Sequence, residues 1–229
     1  MAEAEMTGKE NRTRGNMYFP YLDYIDHGLA VSGLASTLGK RLGCSRQMCR
    51  DLAVSGLVHD IGKIRLSRYV ERGTLINSVE ELKYVRLHSM FSCAILEKRG
   101  YSRAILSMVL HHHENFDGSG YPKNLRGEEI PFGARILRVC DVYAAMTSDR
   151  PYRRAFDHGA ALALMIEEIR NYDLQVFLAF QRYSHEPDFR KESIWPGMAS
   201  RRDKQELLGE LFPDLVKLCL AEGQPIDFI

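Results

Sequence analysis

Three observations predict an all-α domain for this chain. Apolar residues recur at three- and four-residue spacing in one segment after another. Serine or aspartate stands at the head of several of these segments, where a helix N-cap belongs. No stretch alternates apolar and polar residues over the length a half-buried strand needs. The chain has 229 residues, 45% of them hydrophobic, enough to fill one sizeable core.

The elements follow in order. Residues 1–17 are polar, lack the apolar core of a signal peptide, and are expected to form a flexible tail. From Leu22 the positions Ile25, Leu29, Leu34 and Leu38 mark a first helix, on which Asp23 and His27 share a face. Ser45 is placed to cap the next. That helix carries Met48, Leu52 and Leu57 into His59-Asp60-Ile61-Gly62-Lys63, where Gly62 reads as the terminator. After a long connection, Ser78-Val79-Glu80-Glu81 has the form of a capping box and heads a helix through Leu82, Val85, His88, Phe91 and Ile95 to Gly100. Ser102 caps a helix through Ile105, Leu106, Val109 and Leu110 that runs into His111-His112-His113. Glu114 to Pro131 is turn-rich, with Gly118 and Gly120 read as sites of unusual backbone angles. A helix resumes near Phe132 and passes Ile136, Val139 and Asp141 to about Ser148. Asp157 caps another with Leu162, Met165, Ile166 and Ile169, and a short helix holds Leu174, Phe177 and Phe180. A last helical region runs from about Asp203 to Glu222, interrupted at Pro213. The expected division is a tail at 1–17, one principal domain at 18–185, and a helical extension at 186–229 packed on it.

Composition excludes some functions. The 31 basic and 30 acidic residues leave a net charge of +1, which argues against a binder of nucleic-acid polymers or of membrane surfaces. No apolar run approaches the roughly 20 residues of a spanning helix. The five cysteines, Cys44, Cys49, Cys93, Cys140 and Cys219, are scattered and odd in number, and read as reduced thiols of a cytoplasmic protein.

The groups that can carry chemistry are His59 and Asp60, His88, His112 and His113, Asp141, and His27 with Asp23. Each lies on or beside a helix, and a helical bundle can bring such scattered ligands to one interior point. Imidazole with carboxylate suits iron, manganese, zinc and other transition metals. A carboxylate such as Asp60 has two oxygens and can bridge two metals, an arrangement that clamps a phosphoryl group. Lys63 lies about a turn from His59, placed to meet a phosphate oxygen as a point charge. His111, His158 and His185 read as surface groups.

The residues His59-Asp60-Ile61-Gly62-Lys63, His88, His112-His113-Glu114, Asp117-Gly118-Ser119-Gly120-Tyr121-Pro122, Asp141 and Thr147-Ser148-Asp149-Arg150-Pro151-Tyr152-Arg153 resemble the HD-GYP domain, a subgroup of the HD phosphohydrolases, from about Tyr21 to Phe180. The resemblance implies an all-α HD-type bundle with a turn-rich Gly-Tyr-Pro loop. It implies two or three transition-metal ions, iron or manganese first among them, and hydrolysis of cyclic di-GMP to the linear dinucleotide or GMP. It makes His27, His59, Asp60, His88, His112, His113 and Asp141 metal ligands, Asp60 and Lys63 the catalytic pair, and Lys63, Arg150 and Arg153 the substrate contacts. Tyr121 walls the site beside them.

Some positions depart from the pattern. Asp23 stands where some members place a glutamate tied to a third metal. Ser92 stands where many have glycine, and Ala144 where many have aspartate. No receiver or sensor domain is visible, so regulation is expected from a homodimer, a signalling partner or expression, unless the sequence is a fragment of a longer protein. Two other readings remain open: a phosphohydrolase of another nucleotide or phosphoester, and a catalytically weak domain that binds a cyclic dinucleotide and signals.

Overall fold

The chain folds around a helix that is buried for most of its length. The computed structural model describes residues 25–63, 85–149 and 153–189. Apart from Ile25, these fall in one unit, Asp26–Pro196. Their regular elements are all helices: α1 at 25–41, α2 Arg46–Val58, α3 His88–Lys98, α4 Arg103–His111, α5 Phe132–Met146, α6 His158–Glu167 and α7 Leu174–Ser184. Short 3-10 turns lie at Gly127–Glu129 and Ile169–Asn171.

The caps are local chemistry. Ser45 Oγ accepts from Met48 N at 3.2 Å, Ser102 Oγ from Ile105 N at 3.3 Å, and Asp157 Oδ1 from Ala160 N at 2.8 Å. Each satisfies an amide that the first helical turn leaves without a partner. Asp173, not foreseen as a cap, does the same for α7 through Gln175 N at 2.9 Å.

The central helix is α5. Ile136, Leu137, Val139, Cys140, Tyr143 and Ala144 are buried there against α2, α4, α6 and α7. Asp141 shares that face, so a carboxylate is carried into the core. Tyr143, Phe180, Tyr183 and Phe189 close one side with edge-on contacts, centroids 4.8 to 6.5 Å apart.

Helices α1 and α2 cross at backbone distance because two glycines let them. A Cβ on Gly28 would lie 2.5 Å from Leu57 O, and one on Gly56 2.7 Å from Ser32 N. The close crossing puts the His27 and His59 rings 5.2 Å apart, centroid to centroid.

Some expectations are corrected. Helix α5 ends at Met146 rather than near Ser148: Thr147 N turns back to Tyr143 O, and the Ser148 hydroxyl donates to Ala144 O. His111 is 7% exposed, on the inward face of α4. His158 is half-buried, its Nδ1 2.9 Å from the Tyr143 hydroxyl, whereas His185 is exposed. The capping box at Ser78, the tail at 1–17 and the helix near 203–222 lie outside the described residues.

Gly56→Ala is expected to wedge α1 from α2. Overpacking of this kind costs about 1–3 kcal/mol. It should appear as a lower urea midpoint at unchanged m-value; a wild-type midpoint would show that the crossing can relax.

Candidate metal centre

The site begins with three histidines that share one local device. His59 Nδ1 donates to Gly56 O at 2.8 Å, His88 Nδ1 to Val85 O at 2.6 Å, and His112 Nδ1 to Val109 O at 2.6 Å. Each ring is tied to the carbonyl three residues back, so each turns its Nε2 inward. A backbone tether of this kind fixes the tautomer of a metal-ligating histidine.

Those nitrogens converge. His88 Nε2 lies 3.3 Å from His112 Nε2 and 3.1 Å from His113 Nε2. Two imidazole lone pairs that face each other this closely repel unless a cation lies between them. A proton is a poor candidate at His112. Burial first, then the neighbouring His59 and His88, hold its pKa well below the ordinary value. The same holds for His113, where burial and His112 act together.

Asp60 reaches both halves of the site. Its Oδ1 is 3.3 Å from His88 Nε2, and its Oδ2 is 3.4 Å from His59 Nε2, 3.9 Å from His27 Nε2 and 2.5 Å from Lys63 Nζ. Asp141 Oδ1 lies 2.8 Å from His27 Nε2 and 3.6 Å from His59 Nε2, and its Oδ2 is 4.0 Å from His113 Nδ1. Burial opposes charge on both carboxylates, yet the facing imidazoles, with Lys63 at Asp60, hold them well below the usual carboxylate range. Burial likewise disfavours a proton on His59, but Asp60 and Asp141 override it and push its pKa up to about 10. This corner therefore attracts positive charge, and a metal ion satisfies it as a proton does.

Two ligand groups result, Asp60–His88–His112–His113 and His27–His59–Asp141. His59 Nε2 and Asp60 Oδ1 are buried with no hydrogen-bond partner. Buried orphans of this kind are costly unless something coordinates them, so the donor set fits transition-metal ions.

The turn that carries Asp60 is held against α3. A Cβ on Gly62 would meet His88 O at 2.2 Å, and Gly62 N donates to the buried Ser92 Oγ at 2.8 Å. Gly62 is thus glycine because α3 approaches, not because it terminates a helix. Ser92 supplies the acceptor.

The loop after His113 is fastened by Glu114, 2% exposed, whose carboxylate accepts Lys123 N at 2.7 Å and Leu125 N at 3.1 Å. Gly118 has φ of +86°, as expected of a turn glycine. Gly120 is required for closeness instead: a Cβ there would lie 2.2 Å from Asn115 N. Tyr121 stacks on His113, centroids 4.8 Å apart. His111 Nδ1 is 3.5 Å from Glu114 Oε1, which explains its burial.

All seven histidine and aspartate ligands expected from the sequence, Asp23 aside, meet here. Asp23 and Arg150 lie outside the described residues. Arg153 is engaged elsewhere: its guanidinium donates to Met146 O at 3.1 Å and Ala145 O at 2.9 Å, closing the end of α5, and lies 4.5 Å from the Phe156 ring. Arg138 was missed. It lies one turn before Asp141 and donates from Nε to Asn115 Oδ1 at 3.0 Å. Its i−3 spacing from Asp141 was the available signal.

The chain is similar to known proteins. The model of the HD domain family matches residues 3–176. A cyclic di-GMP phosphodiesterase of Pseudomonas aeruginosa is 38% identical over 157 residues, 67% of this chain and 37% of that protein. A 3'3'-cGAMP-specific phosphodiesterase of Vibrio cholerae is 33% identical over 165 residues, 71% of this chain and 38% of that one. The chain thus spans well under half the length of these relatives. Among solved structures, an HDG"Y"P protein from Bdellovibrio bacteriovorus has a TM-score of 0.57 at 20% identity, over 69% of this chain and 51% of that one. At that identity the likeness speaks for the fold.

Asp60→Asn keeps the side-chain shape and removes its charge. Metal content by mass spectrometry of anaerobically purified protein should fall below that of the wild type. Chelation should lower the wild-type Tm, since an ion at a hundred times its Kd contributes about 2.7 kcal/mol, and should lower that of Asp60→Asn less. Equal metal content in the two proteins would remove Asp60 from the ligand set.

Proposed function

The chain belongs to the HD domain family and to its HD-GYP branch, and we propose that it is a metal-dependent phosphodiesterase that opens a cyclic dinucleotide. Cyclic di-GMP is the proposed substrate, with the linear dinucleotide, GMP or both as products. The observation that carries this reading is the reach of Asp60, one oxygen toward His88 and the other toward His59 and His27. The two ligand groups, with Asp60 reaching toward both, would hold the ions, iron or manganese by the donor chemistry.

Bound there, the ions supply Lewis acidity, lowering the pKa of a water and neutralising charge that builds on the phosphoryl oxygens. The protein's own groups prepare the rest. The three tethered imidazoles are fixed before anything binds, so little reorganisation accompanies loading. Lys63, its side chain 24% exposed and held at Asp60 Oδ2, carries an ammonium to the site's edge, where a phosphate oxygen can meet it. Burial lifts the Tyr121 phenol far above its ordinary value, so at neutral pH it is a neutral donor that walls the site rather than a base. Arg150 and Arg153 complete the proposed contacts; for Arg153 this requires giving up the α5 carbonyls.

The similarity to a 3'3'-cGAMP-specific phosphodiesterase favours one second reading, that the substrate is that mixed dinucleotide. Among the described residues no helix is long and apolar enough to cross a membrane. Cys44, Cys49, Cys93 and Cys140 are free thiols. Both suit the proposed cytoplasmic setting, where a homodimer or a signalling partner would regulate the enzyme.

Product analysis on metal-loaded protein with cyclic di-GMP and 3'3'-cGAMP tests the reading; no cleavage of either would overturn it. Lys63→Ala should retain its metals while kcat/KM falls about 10- to 150-fold, the worth of one charge-assisted contact. A lower Tm with unchanged kcat/KM would make Lys63 a structural partner of Asp60 alone.

A further inference from the structure

The cations around this site differ in how they are engaged. Arg135 is paired with Asp173 at 2.7 Å. Arg153 is spent on the end of α5, and Lys63 on Asp60. Arg138 alone among these three helix-borne or loop-borne arginines and this lysine has neither a carboxylate nor a backbone carbonyl partner among the described residues. It is half-buried, and its one hydrogen bond runs from Nε to the neutral Asn115 side chain. Asn115 is itself fixed, donating from Nδ2 to Ser119 Oγ at 2.9 Å.

That arrangement orients the guanidinium and leaves its two terminal nitrogens uncommitted. Among the described residues no carboxylate pairs with this half-buried guanidinium, and the Asn115 amide offsets its desolvation only in part. The planar fork matches a phosphate in shape and charge. Its position is also set: Arg138 is one turn before Asp141, tied to the loop two residues after His113. Arg138 is thereby tied to the loop that carries Tyr121, whereas Lys63 is held at Asp60.

We propose that Arg138 is a substrate contact that holds the phosphate not under attack. The inference rests on the cyclic dinucleotide reading. Such a substrate carries two phosphodiesters on opposite sides of its ring; one is cleaved at the metal centre beside Lys63, and the other must lie away from it. Arg138 gives that second phosphate a preoriented cation.

The test compares cyclic di-GMP with bis(p-nitrophenyl) phosphate, which has a single phosphodiester, on metal-loaded wild type, Arg138→Ala and Arg138→Lys. Metal content and Tm are read on the same samples. For Arg138→Ala, kcat/KM on cyclic di-GMP should fall about 10- to 150-fold further than on the one-phosphate substrate, mostly through KM. Arg138→Lys should recover part of the loss, keeping the charge without the fork. Should Arg138→Ala lose metal or stability, Arg138→Met keeps the apolar stem and carries the comparison. Equal losses on both substrates, or an unchanged KM for cyclic di-GMP, overturn the inference and leave the phosphodiesterase reading intact. A wild type that cleaves only bis(p-nitrophenyl) phosphate removes the cyclic dinucleotide reading and this inference together.

Discussion

The site hangs on one arrangement that the rest of the fold must hold in place: imidazole nitrogens and carboxylate oxygens crowded together out of water. Ion pairing favours charge on Asp60 and Asp141 against their burial, but the nitrogens of His88 and His112 crowd each other at 3.3 Å. Packing elsewhere supports it. The apolar faces of α2, α4 and α5 bring the ligand-bearing ends of α2 and α4 to the Asp141 face of α5, and the backbone tethers on His59, His88 and His112 prevent the rings from turning away. Stability drawn from the core is committed to a poorly satisfied polar cluster, an expected sign of a functional site.

Close backbone approach is the means. Gly28 and Gly56 bring α1 to α2, and Gly62 brings the Asp60 turn to α3, with Ser92 accepting the turn's amide. Each contact fixes a distance between two ligands that are far apart in sequence: His27 with His59, and Asp60 with His88. A side chain in any of these places would move one ligand relative to another, so the glycines act on the site without touching it.

The parts legible in the sequence were those governed by local rules. Helical spacing and the caps at Ser45, Ser102 and Asp157 depend on neighbours a few residues away, and they were found where expected. The ligands were legible because ionisable residues at the ends of apolar helices stand out against the pattern. What escaped was set by tertiary approach. Gly62 and Gly120 looked like conformational glycines, but what they accommodate is a neighbouring backbone. His111 looked like the exposed member of a histidine run until Glu114 was placed beneath it. Arg138 looked like any helix arginine, because nothing local says that its nearest side-chain partner is an amide from a distant loop. Arg153 carries a family-like motif position, yet its charge is engaged by the carbonyls that end α5.

On the loop that follows it, the Glu114 carboxylate reads backbone, not side chains. It takes the amides of Lys123 and Leu125, and neither residue's own chemistry enters the bond. The rim of the loop can therefore change its residues, proline excepted, while the closure that sets Tyr121 over His113 persists. Evolution is thus given a wall of constant shape with an exchangeable surface, so that preference among related ligands can drift without the metal-bearing interior being rebuilt.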